Sequence, residues 1–169
     1  MDRKGECEAY GRKVMRKPKI IAGLILLCVF VILQFFQPDR NPGIQLNEEK
    51  DLVIITGMPD SLAVIFRNSC YDCHSGRTNY PWYSYISPIS WYLSSHIEKG
   101  KEQLDFNNFG SLEKSQRIGV LSEICEEIES DLMPLKSYLL IHRSARIGED
   151  EKEAICIWTE AEALKIMRE

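Results

Sequence analysis

No second closely spaced cysteine pair accompanies Cys70 and Cys73 in this chain of 169 residues. Tetrahedral zinc needs two further ligands, usually another such pair, so zinc is the weaker reading of these thiols. Cys7 and Cys28 precede or sit inside an apolar run, and Cys125 and Cys156 lie far from the pair and from each other. Nothing around Cys70 reads as a parallel strand, which weakens a thioredoxin-like dithiol reading as well. Histidine is scarce, with only His74, His96 and His142. There is no internal repeat and no low-complexity tract, so the chain reads as about one domain plus extensions.

Charge is missing from Ile20 to Phe36, a run of 17 residues that is polar only at Gln34. That is the short end of the roughly 17–25 residues needed to cross a bilayer. A cleaved signal peptide has a shorter apolar region of about 7–15 residues and a small-residue cleavage site. Here the run ends in Gln34-Phe35-Phe36-Gln37-Pro38 without an A-x-A pattern, and the bulky Leu27 makes Cys28 a poor lipidation site. The expectation is an uncleaved transmembrane signal anchor over 20–37. Residues 1–19 carry seven basic and three acidic side chains, whereas residues 38–169 carry 14 basic and 22 acidic ones, a net of −8. Basic flanks stay in the cytoplasm, so the remainder is expected in the periplasm, with the anchor in a bacterial inner membrane. Met15, ahead of Arg16-Lys17-Pro18-Lys19, is an alternative start. Nucleic acid is not an expected partner; the acidic remainder would steer basic-faced redox proteins.

What is present is Cys70-Tyr71-Asp72-Cys73-His74, the attachment signature of a c-type haem. Two thiols add across the vinyl groups of one porphyrin edge, and the two intervening residues span them. The adjoining histidine then becomes the proximal axial ligand of the iron. Bacteria attach haem c outside the cytoplasmic membrane, so motif and topology agree.

Residues 38–59 read as a linker, with Leu52-Val53-Ile54-Ile55 either a strand or a segment docked on the domain, and 60–169 as the haem domain. Asp60 is a candidate N-cap, and Leu62, Ile65 and Phe66 recur at helical spacing before Cys70. A helix from Pro88 is expected to run to about Lys99 and stop at Gly100. Another begins near Ser111, a short one covers about Leu135–His142, and a last one spans Glu149–Met167. The fold class is all-α.

Iron needs a sixth partner or an open position, and three donors compete. Met133, in Asp131-Leu132-Met133-Pro134-Leu135, can present its thioether from a non-helical loop, because the proline keeps the backbone out of helix. His96 and His142 are the alternatives. His96 also fits a partly buried, hydrogen-bonded histidine, and His142 a partner for a helix carbonyl end. A thioether ligand raises the potential relative to imidazole. Tyr80, Trp82 and Trp91, with Tyr83, Tyr85 and Tyr92, form a dense aromatic stretch in a chain with 9% aromatics. Core packing explains one or two of them, and shielding of haem explains both their size and their polar tips. Arg77 is either a propionate counter-ion or a solvated arginine. Cys125 and Cys156 are either a disulfide or two free thiols.

Cys70-x-x-Cys73-His74-Ser75, Tyr80-Pro81-Trp82-Tyr83, Pro88-x-Ser90-Trp91, His96-Ile97-x-x-Gly100, Met133-Pro134, Tyr138, His142 and Trp158 together resemble the bacterial haem-binding domain family, over about residues 60–165. The resemblance implies a cytochrome c-like helical domain, often behind a single membrane anchor, with one haem c on Cys70 and Cys73 and iron on His74. By analogy with cytochromes whose distal ligand sits in a Met-Pro loop, it favours Met133. The chain departs from the family at Lys101, at Leu104-Asp105-Phe106-Asn107 and at Gly148, which touches surface and capping positions. Electron transfer is the leading function. A haem-based redox or gas sensor is the alternative, and a peroxidase-like enzyme, needing acid–base groups above an open iron, ranks below both.

Overall fold

The computed structural model describes residues 3–40 and 48–168, and among them there are helices and no strand. Two compact units divide the chain: Met1–Asp39 with Pro81–Leu93, and Arg40–Tyr80 with Ser94–Glu169.

The first unit contains helix α1 (Arg3–Leu33). Its apolar side chains from Ile20 to Ile32 are 44–70% exposed, without a covering partner in this unit. The helix ends at Leu33, three residues before the apolar run does, and the chain turns through Gln34 and Phe35. At 1.5 Å per residue the uncharged helical part, from Ile20, is about 21 Å long, against a hydrocarbon core of about 30 Å. Among the described residues, no helix is long and apolar enough to cross a membrane, so the expected span over 20–37 is not found as one helix. The Pro81–Leu93 segment opens with a 3₁₀ turn at Trp82–Tyr85.

The second unit starts inside the stretch read as linker. Helix α2 (Leu52–Thr56) forms here, so the strand alternative does not hold and the docked one does. The Asp51 side chain accepts from the Val53 N–H at its start, and Gly57 closes it at φ 63°. That left-handed conformation suits glycine, which has no Cβ to clash. Leu52 is wholly buried, and Val53 and Met58 nearly so, so these residues are core.

Helix α3 (Asp60–Ser69) begins one residue earlier than expected, with Pro59 at the cap and Asp60 inside its first turn. Leu62, Ala63 and Phe66 fall on one face at helical spacing and are buried. Phe66 meets Phe106 and Trp158 edge-on, at centroid distances of 5.7 and 5.8 Å, the arrangement that aligns a positive ring edge with a negative face. The single turn α4 (Tyr71–His74) follows directly. Helix α5 (Ile89–Gln103) continues through Gly100, which does not stop it. Helix α6 (Lys114–Glu129) starts with a capping box between Glu113 and Gln116, two orphan donors satisfied reciprocally. After the one-turn α7 (Lys136–Leu139), helix α8 (Glu149–Arg168) packs along α6. A disulfide between Cys125 and Cys156 joins these two helices, with Cα atoms 4.9 Å apart.

Candidate functional site

Cys70 lies where α3 runs out, its N–H still donating to the Phe66 carbonyl at 2.9 Å. The N–H groups of Cys73 and His74 both donate to the Cys70 carbonyl, at 3.1 and 3.0 Å. Cys70 and Cys73 therefore share one helical turn, three residues apart, which places their side chains on the same face. Both are half-buried free thiols. Burial pushes the Cys70 thiol up to about 12 and the Cys73 thiol up to about 11, with the neighbouring thiol and Asp72 respectively adding to the effect.

His74 is oriented from the side. Its Nδ1 lies 3.0 Å from the Leu104 carbonyl oxygen. A carbonyl only accepts, so Nδ1 holds a proton, and the neutral ring in that tautomer has its lone pair on Nε2. The imidazole also lies against Phe106, centroids 5.7 Å apart. Phe106 in turn stacks on Tyr71 at 5.1 Å.

Behind the turn is a buried polar network that the sequence reading missed. The Asp51 carboxylate accepts from Tyr71 Oη (2.8 Å), Asn107 Nδ2 (2.7 Å) and the Val53 N–H (3.0 Å). Burial, then the bond to Asp51, pushes the Tyr71 phenol upward, so it stays a donor. Asn107 Oδ1 accepts from the Gly76 N–H at 2.7 Å, and Ser75 Oγ donates to the Tyr71 carbonyl at 2.7 Å. Every oxygen of the buried side chain thus has a partner, as a polar group at 3% exposure requires. The signal in the sequence was faint: Asp51 and Asn107 are polar residues set beside strongly apolar neighbours.

Asp72 is half-buried and is tied as well. Its carboxylate accepts from Tyr138 Oη (2.7 Å) and the Asn79 N–H (2.9 Å), and its carbonyl from Thr78 Oγ1 (2.7 Å). Tyr138 stacks on His142 with centroids 4.2 Å apart and planes at 10°. Through these two contacts His142 is linked to the motif. Gly100 marks the closest backbone approach: a Cβ there would stand 2.9 Å from the Cys73 carbonyl oxygen.

Other sequence candidates are placed as follows. Met133 is half-buried just past α6, its N–H donating to the Glu127 carbonyl at 3.1 Å, in a non-helical turn as expected. His96 is half-buried on α5, and Tyr80 is half-buried ahead of the 3₁₀ turn. Trp82 and Trp91 belong to the first unit. Trp82 is 75% exposed, and the Trp91 indole N–H donates to the Phe36 carbonyl at 2.6 Å. Arg77 forms an ion pair with Glu48 at 2.8 Å. The Cys125, Glu129 and Cys156 side chains converge closely enough to suit a metal, but both sulfurs are committed to the disulfide.

Two free thiols on one turn, beside an imidazole whose Nε2 is left to coordinate, fit a haem held by two thioethers and one nitrogen. In comparison with known proteins, residues 28–161 match the model of a family described as a haem-binding domain. The match is longer than the resemblance read from motifs and begins inside α1. No curated protein and no solved structure matches the chain.

Proposed function

The chain belongs to the haem-binding domain family, and from that premise we propose that it is a membrane-held c-type cytochrome that relays electrons on the periplasmic side. Bound haem supplies reversible one-electron exchange between ferric and ferrous iron. The observation that carries the reading is the Cys70–His74 turn, with paired free thiols and an imidazole turned by the Leu104 carbonyl. Cys70 and Cys73 would hold the porphyrin edge, and His74 Nε2 would ligate the iron. The Asp51–Tyr71–Asn107 network on one side and Tyr138–Asp72 on the other restrain the turn. A restrained ligand set changes little between oxidation states, which suits rapid electron exchange.

Met133 would supply the second iron ligand, a reading supported by its place in the turn after α6 and by its thioether chemistry. Met133→Ala is expected to lower the reduction potential or to open the iron to carbon monoxide. An unchanged ligand-field spectrum transfers the assignment to His96 or His142. Ready carbon monoxide binding by the unaltered reduced protein would favour a sensor over an electron carrier.

Two features support the location. The Cys125–Cys156 disulfide suits an oxidising compartment, and the exposed apolar stretch of α1 needs cover that a bilayer supplies. Resistance of the full chain to alkaline carbonate extraction is the expected result; release into the soluble fraction removes the membrane.

The central test is covalent attachment. The full chain is co-expressed with cytochrome c maturation machinery, denatured and stained for haem on a gel. Stain that persists, and disappears in the Cys70→Ala/Cys73→Ala protein, is the expected outcome. Folded protein without covalent haem returns the two thiols to other chemistry.

A further inference from the structure

Between Pro81 and Leu93 there is not one charged residue, in a chain in which 27% of residues are charged. The stretch is nonetheless at the surface. Trp82, Tyr85, Ile89 and Tyr92 are 75%, 57%, 45% and 56% exposed, while Tyr83, Ser84, Ser87 and Ser90 are buried. The spacing separates these two sets. Residues three apart eclipse one another in a 3₁₀ turn, so Trp82 and Tyr85 project from one side of the Trp82–Tyr85 turn. Ile89 and Tyr92 are likewise three apart, on one face of the first turn of α5.

This segment is fastened to the end of the apolar helix within the first unit. Gln34 grips the Ser87 backbone from both sides: its Oε1 accepts the Ser87 N–H at 3.0 Å, and its Nε2 donates to the Ser87 carbonyl at 3.1 Å. Gln37 Nε2 donates to Ser87 Oγ at 2.8 Å, and the Trp91 indole to the Phe36 carbonyl. The one polar residue of the apolar run, Gln34, is therefore the clamp. It also explains why α1 stops short, since the chain from Gln34 onward is bound to the aromatic segment. Phe35 and Phe36, beside the clamp, are 83% and 65% exposed.

We propose that Trp82, Tyr85, Ile89 and Tyr92, with Phe35 and Phe36, form a platform that lies in the headgroup region of the bilayer holding α1. Tryptophan and tyrosine collect there because an apolar ring meets the acyl boundary while its polar tip stays hydrated. A charged partner surface is a poor match for a segment without charges. The clamp delivers the aromatics to wherever the C-terminal end of α1 resides. This rests on the membrane-held reading above, and it gives the aromatic stretch a different role from lining the haem pocket.

The test uses the full-length holoprotein in vesicles of phosphatidylethanolamine and phosphatidylglycerol doped with a phospholipid bearing a photoactivatable group near its headgroup. Labelled peptides are mapped by mass spectrometry. Adducts on both the 20–36 and 81–93 peptides are expected. In Trp82→Glu/Tyr85→Glu protein the 81–93 adducts should fall several-fold, with the visible haem spectrum unchanged. Adducts confined to 20–36 would overturn the platform and leave the tether standing. Adducts on neither would remove the tether and the platform together. A shifted haem spectrum in the variant with undiminished labelling would also overturn the platform, returning Trp82 and Tyr85 to the haem.

Discussion

At His74 the decisive partner is a main-chain oxygen, the Leu104 carbonyl 3.0 Å from Nδ1. No substitution of Leu104 deletes that acceptor, so the ring orientation depends on how the backbone after α5 is placed. Gly100 controls part of that placement. Alanine is favoured over glycine by up to about 1 kcal/mol inside a helix, which taken alone would make Gly100→Ala stabilising. The new Cβ, however, would meet a backbone oxygen of Cys73 at 2.9 Å, closer than packed carbon and oxygen tolerate. Neither partner is a flexible side-chain tip, so α5 and the attachment turn must separate. Overpacking of this kind costs about 1–3 kcal/mol and should win. Gly100→Ala is therefore expected to lower the urea midpoint and reduce covalent haem yield together. A midpoint equal to or above that of the parent would contradict the close approach.

At the scale of elements, α3 shows how local pattern and tertiary use coincide. Of its buried face, Leu62 and Phe66 were readable from periodicity, whereas Ala63 was not read and Ile65 is only half-buried; the helix carries the chain to Cys70 at its end. Helix α2 shows the opposite case. Leu52-Val53-Ile54-Ile55 is a short β-branched run that local propensity assigns to strand as readily as to helix. The Asp51 cap and the left-handed Gly57 fix it as one turn of helix, and its packing makes core of a supposed linker. The α6–α8 pair is cross-linked across a sequence separation of 31 residues. A loop of that length stabilises by about 4 kcal/mol through the lost freedom of the unfolded chain. Cys125→Ser/Cys156→Ser protein should thus unfold at a clearly lower temperature by circular dichroism, with its haem still covalently bound. No change in melting temperature would mean that the helices hold without the bond.

For the whole molecule, charge and hydropathy are segregated along the chain. Residues 38–169 carry a net of −8, whereas the apolar run 20–36 and the aromatic segment 81–93 carry no charged side chain. Screening lengths near 8 Å at physiological salt weaken attraction between exposed charges. Electron exchange with a basic soluble redox protein should accordingly slow by about tenfold or more between low and physiological ionic strength. A rate indifferent to salt, measured by stopped flow, would remove the acidic surface from partner recognition.

The sequence alone determined the spacing of the two thiols and the imidazole, the helical class and the charge segregation. Each depends on residues close together in the chain: Cys70, Cys73 and His74 within one turn, and apolar positions repeating within single helices. Tertiary structure decided what those residues touch. Asp51, Asn107 and the Leu104 carbonyl support the attachment turn from positions far away in sequence, and no spacing rule connects them. The same holds for Gln34, an interruption in an apolar run that is a clamp only because Ser87 is folded against it. It holds again for Trp82, whose size speaks for burial and whose surroundings leave it exposed. Local chemistry is written in neighbouring residues, whereas orientation and exposure depend on contacts between distant ones, which form only when the chain folds.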